Sequence, residues 1–302
     1  MSHPIISKLL VETGAYRDLD TPVILTSGRI GIYYVNTEKL LQDGGKFNDY
    51  GDNSQQMIAH AMLVMNDNPS FGKVIDIMSA EIDSMFLSDD SKNARAISGG
   101  QRRDWLFSGP VAAMLGYPHI SLYKDGRFYA LSHDFSKDVS IGGYSAVHVS
   151  DLMTSGSSSY DSRETPPTGW IPMIRTGNAR IHKLATVVSR LEGGEQALKK
   201  ADVDVFSFVQ IDEDFVRAQS KNTKALEYVK DPDGWSERFL REQGVEAFVN
   251  AFGPDAMKKD ARALKFLKVY KNILDEDGGK KYNELSSKVK EKFGTDITQM
   301  GA

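Results

Sequence analysis

The chain contains no cysteine in 302 residues. A disulfide scaffold, a thiolate zinc site, an iron–sulfur cluster and a cysteine nucleophile all need sulfur, so each is excluded, and the absence fits a reducing compartment. An excess of positive charge is missing as well. Lys and Arg number 37 against 41 Asp and Glu, a formal net charge of −4, so no general cationic field draws nucleic acid and any anion must be bound locally. Long apolar runs are also lacking: nowhere do the roughly 20 apolar residues of a membrane helix occur. The first ten residues show neither a basic start nor an apolar stretch. The expectation is a soluble, cytoplasmic protein with no nucleic-acid and no membrane partner. What is present is globular material, 40% hydrophobic and 26% charged, at a length that allows one large domain or two smaller ones.

Periodicity divides the chain. Over 53–66, Met57, Ile58, Ala61, Met62 and Met65 fall on one helical stripe behind Asn53 and Ser54, which suit an N-cap. Ile75, Met78, Ile82, Met85 and Phe86 make a second stripe. Residues 95–98, 120–123, 146–149, 185–188 and 205–209 are brief and rich in β-branched or aromatic side chains, which predicts buried strands. Helix signals lie between them. Ser108 and Pro110 open a helix that Gly116 stops, and 195–200 follows the Gly193-Gly194 pair. Strands alternating with helices predict an α/β fold built from parallel βαβ units, with ligands beyond the carboxyl ends of the strands. From about Asn222 the strands vanish, and 235–243, 245–251, 255–274 and 280–293 read as helices broken by Gly or Pro. The expected division is 1–221 as an α/β domain that includes an N-terminal segment, and 222–302 as a helical extension.

The window 145–158 carries the most chemistry. A buried strand runs into Asp151 and then into Thr154, Ser155, Gly156, Ser157 and Ser158. Small residues let consecutive backbone amides approach a phosphate, and the hydroxyls add donors without charge. Asp151 at the strand end is suited to ribose hydroxyls or a hydrated Mg²⁺. A Ser-rich solvent turn is the plain alternative. The other histidines, His60, His119, His148 and His182, show no metal-ligand spacing and read as surface or satisfied interior groups.

This window resembles the signature of type I phosphoribosyltransferases: hydrophobic residues, acids, then a Thr/Ser-rich loop with Gly. Two further segments resemble the orotate phosphoribosyltransferases in particular, 25–36 (Leu-Thr-Ser-Gly-Arg-Ile-Gly-Ile-Tyr-Tyr-Val-Asn) and 186–194 (Thr-Val-Val-Ser-Arg-Leu-Glu-Gly-Gly). The ordered correspondence spans 21–212, about two-thirds of the chain, and does not reach the C-terminal helices.

The resemblance implies a central parallel sheet flanked by helices and a transfer of ribose 5-phosphate from phosphoribosyl pyrophosphate to orotate. It implies Mg²⁺, a homodimer, and roles for residues. Residues 154–158 would hold the 5′-phosphate, and Asp151 the ribose hydroxyls and, directly or through water, Mg²⁺. Gly99, Gly100, Arg102 and Arg103 would hold pyrophosphate, since glycines permit close approach and guanidinium forks bind phosphate oxygens. Lys124 and Arg127 fall on the family's mobile catalytic loop, here expected to close over 124–143, with His133 as a candidate for its His. Tyr34 and Val35 would flank the base, and Arg190 would pair with its carboxylate.

The sequence departs from the pattern at three places. Ser150 replaces the first acid, Thr26 stands where the orotate enzymes have Lys, and Phe128, Tyr129 and Ala130 replace polar loop residues. An acid from elsewhere, such as Asp134 or Asp138, is needed if Ser150 is to be compensated. Two alternatives remain open at this level: a nucleotide-binding or regulatory protein with weakened catalysis, and the same transfer to a different base. The C-terminal helices suit a hood, a subunit interface or simple packing.

Overall fold

The computed structural model describes residues 2–25, 27–87, 94–220, 222–251, 262–294 and 296–299. Thr26 and part of the expected helix 255–274 lie outside the described residues. In chain order the first elements are α1 (Pro4–Glu12), β1 (Tyr16–Ile24), β2 (Ile30–Val35), α2 (Ser54–Asp67), α3 (Pro69–Leu87), β3 (Ala94–Gly100), α4 (Trp105–Leu115), β4 (His119–Leu122) and β5 (Phe128–Leu131). They continue with β6 (Tyr144–Met153), α5 (Trp170–Thr176), β7 (Arg180–Ser189), α6 (Gly194–Lys199), β8 (Asp204–Gln210), α7 (Glu213–Gln219), α8 (Thr223–Lys230), α9 (Pro232–Ala251), α10 (Arg262–Val269), α11 (Lys271–Leu274) and α12 (Glu276–Phe293).

The chain divides into two units, Met1–Tyr16 with Asn36–Ile211, and Arg17–Val35 with Asp212–Ala302. This division differs from the one expected at 221/222, because β1 and β2 go with the later helices.

The first unit carries a six-stranded sheet in the order β5-β4-β3-β6-β7-β8. Every pairing is parallel except β4 with β5. Parallel strands need crossovers that cover the sheet, which is why these strands read as unbroken apolar runs. Helix α4 packs on β3, β4 and β6, with α2 and α3 against it, α5 on β7, and α6 on β8. Ile171 and Ile174 of α5 and Leu198 of α6 join Ile120, Leu122, Ala146 and Leu184 in one buried cluster.

Two local expectations are corrected. Helix α4 begins at Trp105, not at Ser108, because the chain is already turning: Trp105 N donates to Arg102 O (3.1 Å) and Ser108 N to Asp104 O (2.8 Å). Pro110 then lies inside the helix, where only the Leu106 carbonyl loses a donor. The 124–143 segment is not a long open loop. Phe128–Leu131 pair antiparallel with β4, Leu131 bridges Asp138, and Val139 N donates to Ala130 O (3.0 Å), so its apolar residues serve the sheet edge.

In the second unit β1 and β2 form a two-stranded sheet on which helices build. Tyr33 of β2 meets Tyr228 of α8 edge-on at 5.7 Å, and Tyr228 in turn meets Trp235 of α9 at 5.6 Å. The Tyr270 hydroxyl accepts from Ile30 N (3.1 Å). A hairpin so short cannot bury a face alone, which is the physical reason it belongs with the helical extension. Helix α9 runs through Gly244, so the expected break there is absent. No helix among the described residues is long and apolar enough to cross a membrane.

Candidate functional site

The carboxyl ends of β3 and β6 meet through two buried carboxylates. Strand β6 ends in Ser150, Asp151, Leu152 and Met153, and Asp151 is buried there. Thr37 Oγ1 donates to Asp151 Oδ2 (2.7 Å) and the Arg103 guanidinium stands 3.4 Å from the same oxygen. On the other side, the Asp151 amide donates to Asp104 Oδ1 (2.8 Å), and the Gly100 amide donates to Asp104 Oδ2 (3.0 Å). His148 Nε2 lies 3.6 Å from Asp104 Oδ2, while its Nδ1 is 3.1 Å from Ser98 Oγ. Burial pushes the Asp151 carboxyl above its ordinary range, the Asp104 charge adds to the rise, and Arg103 and Thr37 oppose it. Asp104 is also raised by burial, yet the facing His148 and the Asp151 amide hold it below its ordinary value. Of the pair, Asp104 therefore keeps the charge more firmly.

The β3–α4 turn is fixed by the protein's own packing. A Cβ on Gly99 collides with Ser108 Oγ and comes within 2.8 Å of Ser108 Cβ, and a Cβ on Gly100 collides with the Trp170 ring. Trp105 Nε1 donates to Gly99 O (2.9 Å). The two glycines thus serve close packing inside the molecule, and the Gly100 amide is already committed. The adjacent arginines diverge. Arg103 faces Asp151, whereas Arg102 donates to Asn48 Oδ1 (2.6 Å) and Gly51 O (3.2 Å) and lies over the Phe47 ring.

Residues 154–158 form the turn after β6. Gly156 has φ +73°, and a Cβ there sits 3.1 Å from Gly194, so the turn touches the start of α6 backbone to backbone. Only a residue without a side chain takes that φ and that spacing at no strain. Among the described residues, no amide of 154–158 donates a hydrogen bond within the protein; Ser155 Oγ contacts Ser157 Oγ (3.3 Å). Five consecutive amides at the carboxyl end of β6 are thus uncommitted within the protein, beside a glycine at positive φ.

The β7–α6 connection borders this turn, with Arg190 N donating to Met153 O (2.9 Å). Leu191 has φ +57° and is exposed, which turns Glu192 back toward Arg190. Arg190 Nε and Glu192 Oε1 are 3.0 Å apart, with side chains 5% and 2% exposed. Arg190 is therefore engaged by a carboxylate of its own chain.

Lys124 and Arg127 sit on the five-residue turn between β4 and β5. The Lys124 amide donates to Gln101 Oε1 (2.8 Å), which ties this turn to the β3–α4 turn, and its ammonium has no partner among the described residues. Arg127 pairs with Asp125 (Nε to Oδ2, 2.7 Å) and lies over the rings of Tyr123 and Tyr129. It lines a cavity of about 480 Å³ with Asn53, Ser54, Tyr123 and Tyr129. His133 is exposed. Tyr34, exposed beneath the Arg17 guanidinium, and buried Val35 lie on β2 of the second unit.

The structure thus brings together Asp151, Arg103, Gly100 and the 154–158 turn, and adds Asp104 and Thr37, which the sequence reading gave no role, and His148, which it read as a surface or satisfied interior group. Asp104 had one signal, an acid directly after the Gly-Gly and Arg-Arg pairs. Thr37 and His148 had none.

No family model matches the chain, and no curated protein matches it. Among solved structures it is similar to the orotate phosphoribosyltransferase from Aeropyrum pernix, at 18% identity and a TM-score of 0.47 over 70% of this chain and 98% of that one. It is similar to Leishmania donovani UMP synthase at 14% identity and a TM-score of 0.50, over 74% of this chain and 40% of that one. An adenine phosphoribosyltransferase of Leishmania donovani shares 12% identity at a TM-score of 0.42, over 72% of this chain and 82% of that one. At 14% identity the likeness to the UMP synthase speaks to the fold alone, and that fold is a mainly parallel sheet flanked by helices and followed by a helical C-terminal region.

Proposed function

We propose that this chain is a pentosyltransferase that moves ribose 5-phosphate from phosphoribosyl pyrophosphate to a nucleobase. The observation that carries the proposal is the 154–158 turn, whose five uncommitted amides lie at the carboxyl end of a buried strand beside the Asp151 carboxylate. That combination suits a phosphate on one side and ribose hydroxyls on the other. In the transfer, the bond from the anomeric carbon to pyrophosphate breaks and its electron pair leaves with the pyrophosphate, while a ring nitrogen of the base bonds that carbon and releases its proton to solvent. The amides and hydroxyls of 154–158 hold the 5′-phosphate, Asp151 orients the ribose, and Arg103 and Lys124 offer cations to the departing group.

Mg²⁺ fits this arrangement in a limited way. Among the described residues no three carboxylates or imidazoles gather into a metal cage. A magnesium ion carried in by phosphates needs only one or two protein carboxylates, and Asp151 keeps a tenth of its side chain open to take that part. When bound, the ion supplies neutralising charge for pyrophosphate.

Orotate is the acceptor we assign first, with Arg190 as the reader of its carboxylate. A different base is favoured by one observation, the buried pair with Glu192 that already balances the Arg190 charge. A binding or regulatory protein is favoured by another, the five-residue β4–β5 turn, which leaves little chain to close over a donor. Calorimetric titration with phosphoribosyl pyrophosphate and Mg²⁺, followed by pyrophosphate release with orotate and with a purine, separates them. Donor binding with release on orotate is the expected result. Release only with the purine reassigns the acceptor, binding without release on any base supports the regulatory alternative, and no donor binding overturns the proposal.

A further inference from the structure

Ser150 leaves one acid of the expected pattern unfilled. Asp134 and Asp138 do not supply it, since both belong to the exposed turn after β5. Asp134 accepts from the hydroxyls of Ser132 (2.6 Å) and Ser136 (2.8 Å), and Asp138 bridges Leu131. Asp104 is different. An acid directly before a helix ordinarily turns its carboxylate forward onto the first free amides of that helix. Asp104 stands at that place with helical backbone angles and makes no such cap. Its carboxylate turns back, taking the Gly100 amide on one oxygen and the Asp151 amide on the other, at 3.0 and 2.8 Å.

Those two amides belong to different loops. Gly100 closes strand β3 where the turn to Arg103 begins, and Asp151 opens the end of β6 that leads into 154–158. The hydrogen-bonded register between these strands stops at Ser98 with His148, so beyond that level the Asp104 carboxylate supplies hydrogen bonds that the ladder no longer makes. His148, fully buried, stands 3.6 Å from the same carboxylate and is itself fixed on Ser98. The side chain of Asp104 is 11% exposed, which suits support from beneath the site.

We propose that Asp104 is the positioning residue of this site: its carboxylate locks the Gly100 and Asp151 amides together and so sets Arg103 and Asp151 against one donor molecule. This inference rests on the phosphoribosyl reading for its functional part, and on the hydrogen bonds alone for its structural part.

The test uses the full chain and two measurements. Backbone amide exchange by NMR without ligand is expected to show slow exchange at both Gly100 and Asp151. In Asp104→Asn a single carbonyl oxygen serves two amides, so at least one of them is expected to exchange about tenfold faster or more, since a buried donor is left unmatched. Calorimetry with phosphoribosyl pyrophosphate and Mg²⁺ is expected to show about tenfold weaker donor binding in the same variant. KM for the base is expected to move less than about twofold, a split that general destabilisation does not produce. Unchanged exchange, or unchanged donor affinity in a folded Asp104→Asn, overturns the inference. If that variant does not fold, the wild type decides: fast exchange at either amide overturns the inference, and slow exchange at both supports it. Should the wild type bind no donor while exchange behaves as expected, the phosphoribosyl reading falls and the Asp104 link stands.

Discussion

The turn after β3 and the turn after β4 leave neighbouring strands of one sheet, touch through Gln101 and Lys124, and are built on opposite plans. Residues 99–104 are held from inside. Gly99 lies under Ser108 and Gly100 under Trp170, Asp104 reaches back to two amides, and Arg102 is anchored on Asn48 and Gly51. Residues 124–127 are held mainly by local contacts, with Arg127 on Asp125 and over the rings of Tyr123 and Tyr129, and by one bond to Gln101. One turn is an outgrowth of the core and the other a local hydrogen-bonded loop on the surface. Groups on the first are preorganised for a ligand, and groups on the second retain freedom to adjust.

Glycine substitution in the two turns tests that contrast most strongly. Gly99→Ala forces a Cβ into Ser108 and is expected to destabilise the protein by about 3 kcal/mol, the upper range for overpacking a tight core. At Gly126 a Cβ meets open space, and only the φ of +90° opposes it, so Gly126→Ala is expected to lose about 1 kcal/mol. Urea unfolding of both variants measures the difference, and equal losses would remove the distinction between the turns. The next effect belongs to the arginine pair. Arg103→Gln takes away the guanidinium beside Asp151 and is expected to weaken binding of phosphoribosyl pyrophosphate about 10–100-fold by calorimetry, the range for a hydrogen bond to a charged group. Arg102→Gln, whose guanidinium is occupied elsewhere, is expected to change that affinity less than about threefold.

The same contrast explains what the sequence disclosed. All five parallel strands stood out as short runs rich in β-branched or aromatic residues: β3, β4, β6 and β7 because strands inside the sheet are buried on both faces, and β8, an edge strand of alternating burial, by its Val and Phe content. The turn at 154–158 was legible as a turn, since small hydroxyl residues with Gly follow such a strand directly. Strand β5 was not legible, since Phe128, Tyr129, Ala130 and Leu131 lie on an edge where one face meets solvent, and a short edge strand carries too little pattern. The grouping of β1 and β2 with the late helices depends on contacts between residues some 200 positions apart, such as Tyr33 with Tyr228, which no local period records. Asp104 was hidden differently. Its residue type is ordinary before a helix, and what distinguishes it is the direction in which its carboxylate turns.

Beneath the rigid turn lies a titration that sharpens the contrast further. His119 is fully buried between the hydroxyls of Ser108 (2.8 Å) and Ser121 (3.2 Å). Burial, and next the proximity of His148, push its pKa from 6.5 down to about 3. The folded protein thus excludes a proton that the unfolded chain accepts below pH 6.5. Stability from this group is complete above that pH and falls as the pH drops toward 3, by at most about 1.4 kcal/mol per pH unit. Asp151, raised by burial, acts in the opposite sense. Urea unfolding at pH 6.5 and 5.5 is therefore compared between wild type and His119→Asn, where the difference in slope isolates the histidine; equal slopes would mean that the site under α4 admits the proton.

The smallest effects are expected on the surface turn, and they divide its two cations. Lys124 holds its backbone against Gln101 while its ammonium has no partner among the described residues, so the charge is available to a pyrophosphate that arrives. Exposed charges act through solvent and are worth about 1 kcal/mol or less, so Lys124→Ala is expected to lower kcat/KM for the donor about fivefold, an effect that weakens with added salt. Arg127 begins from a different state. Its guanidinium is committed to Asp125 and stacked on Tyr123 and Tyr129, and recruiting it to a ligand breaks that pairing before any gain is made. Arg127→Ala is accordingly expected to change kcat/KM less than about twofold, while Asp125→Ala, which frees the arginine, is expected to raise donor affinity slightly. A loss in Arg127→Ala larger than that in Lys124→Ala would show that the Asp125 pairing opens on binding, and that the surface turn is remodelled by the donor while the β3–α4 turn stays as it is.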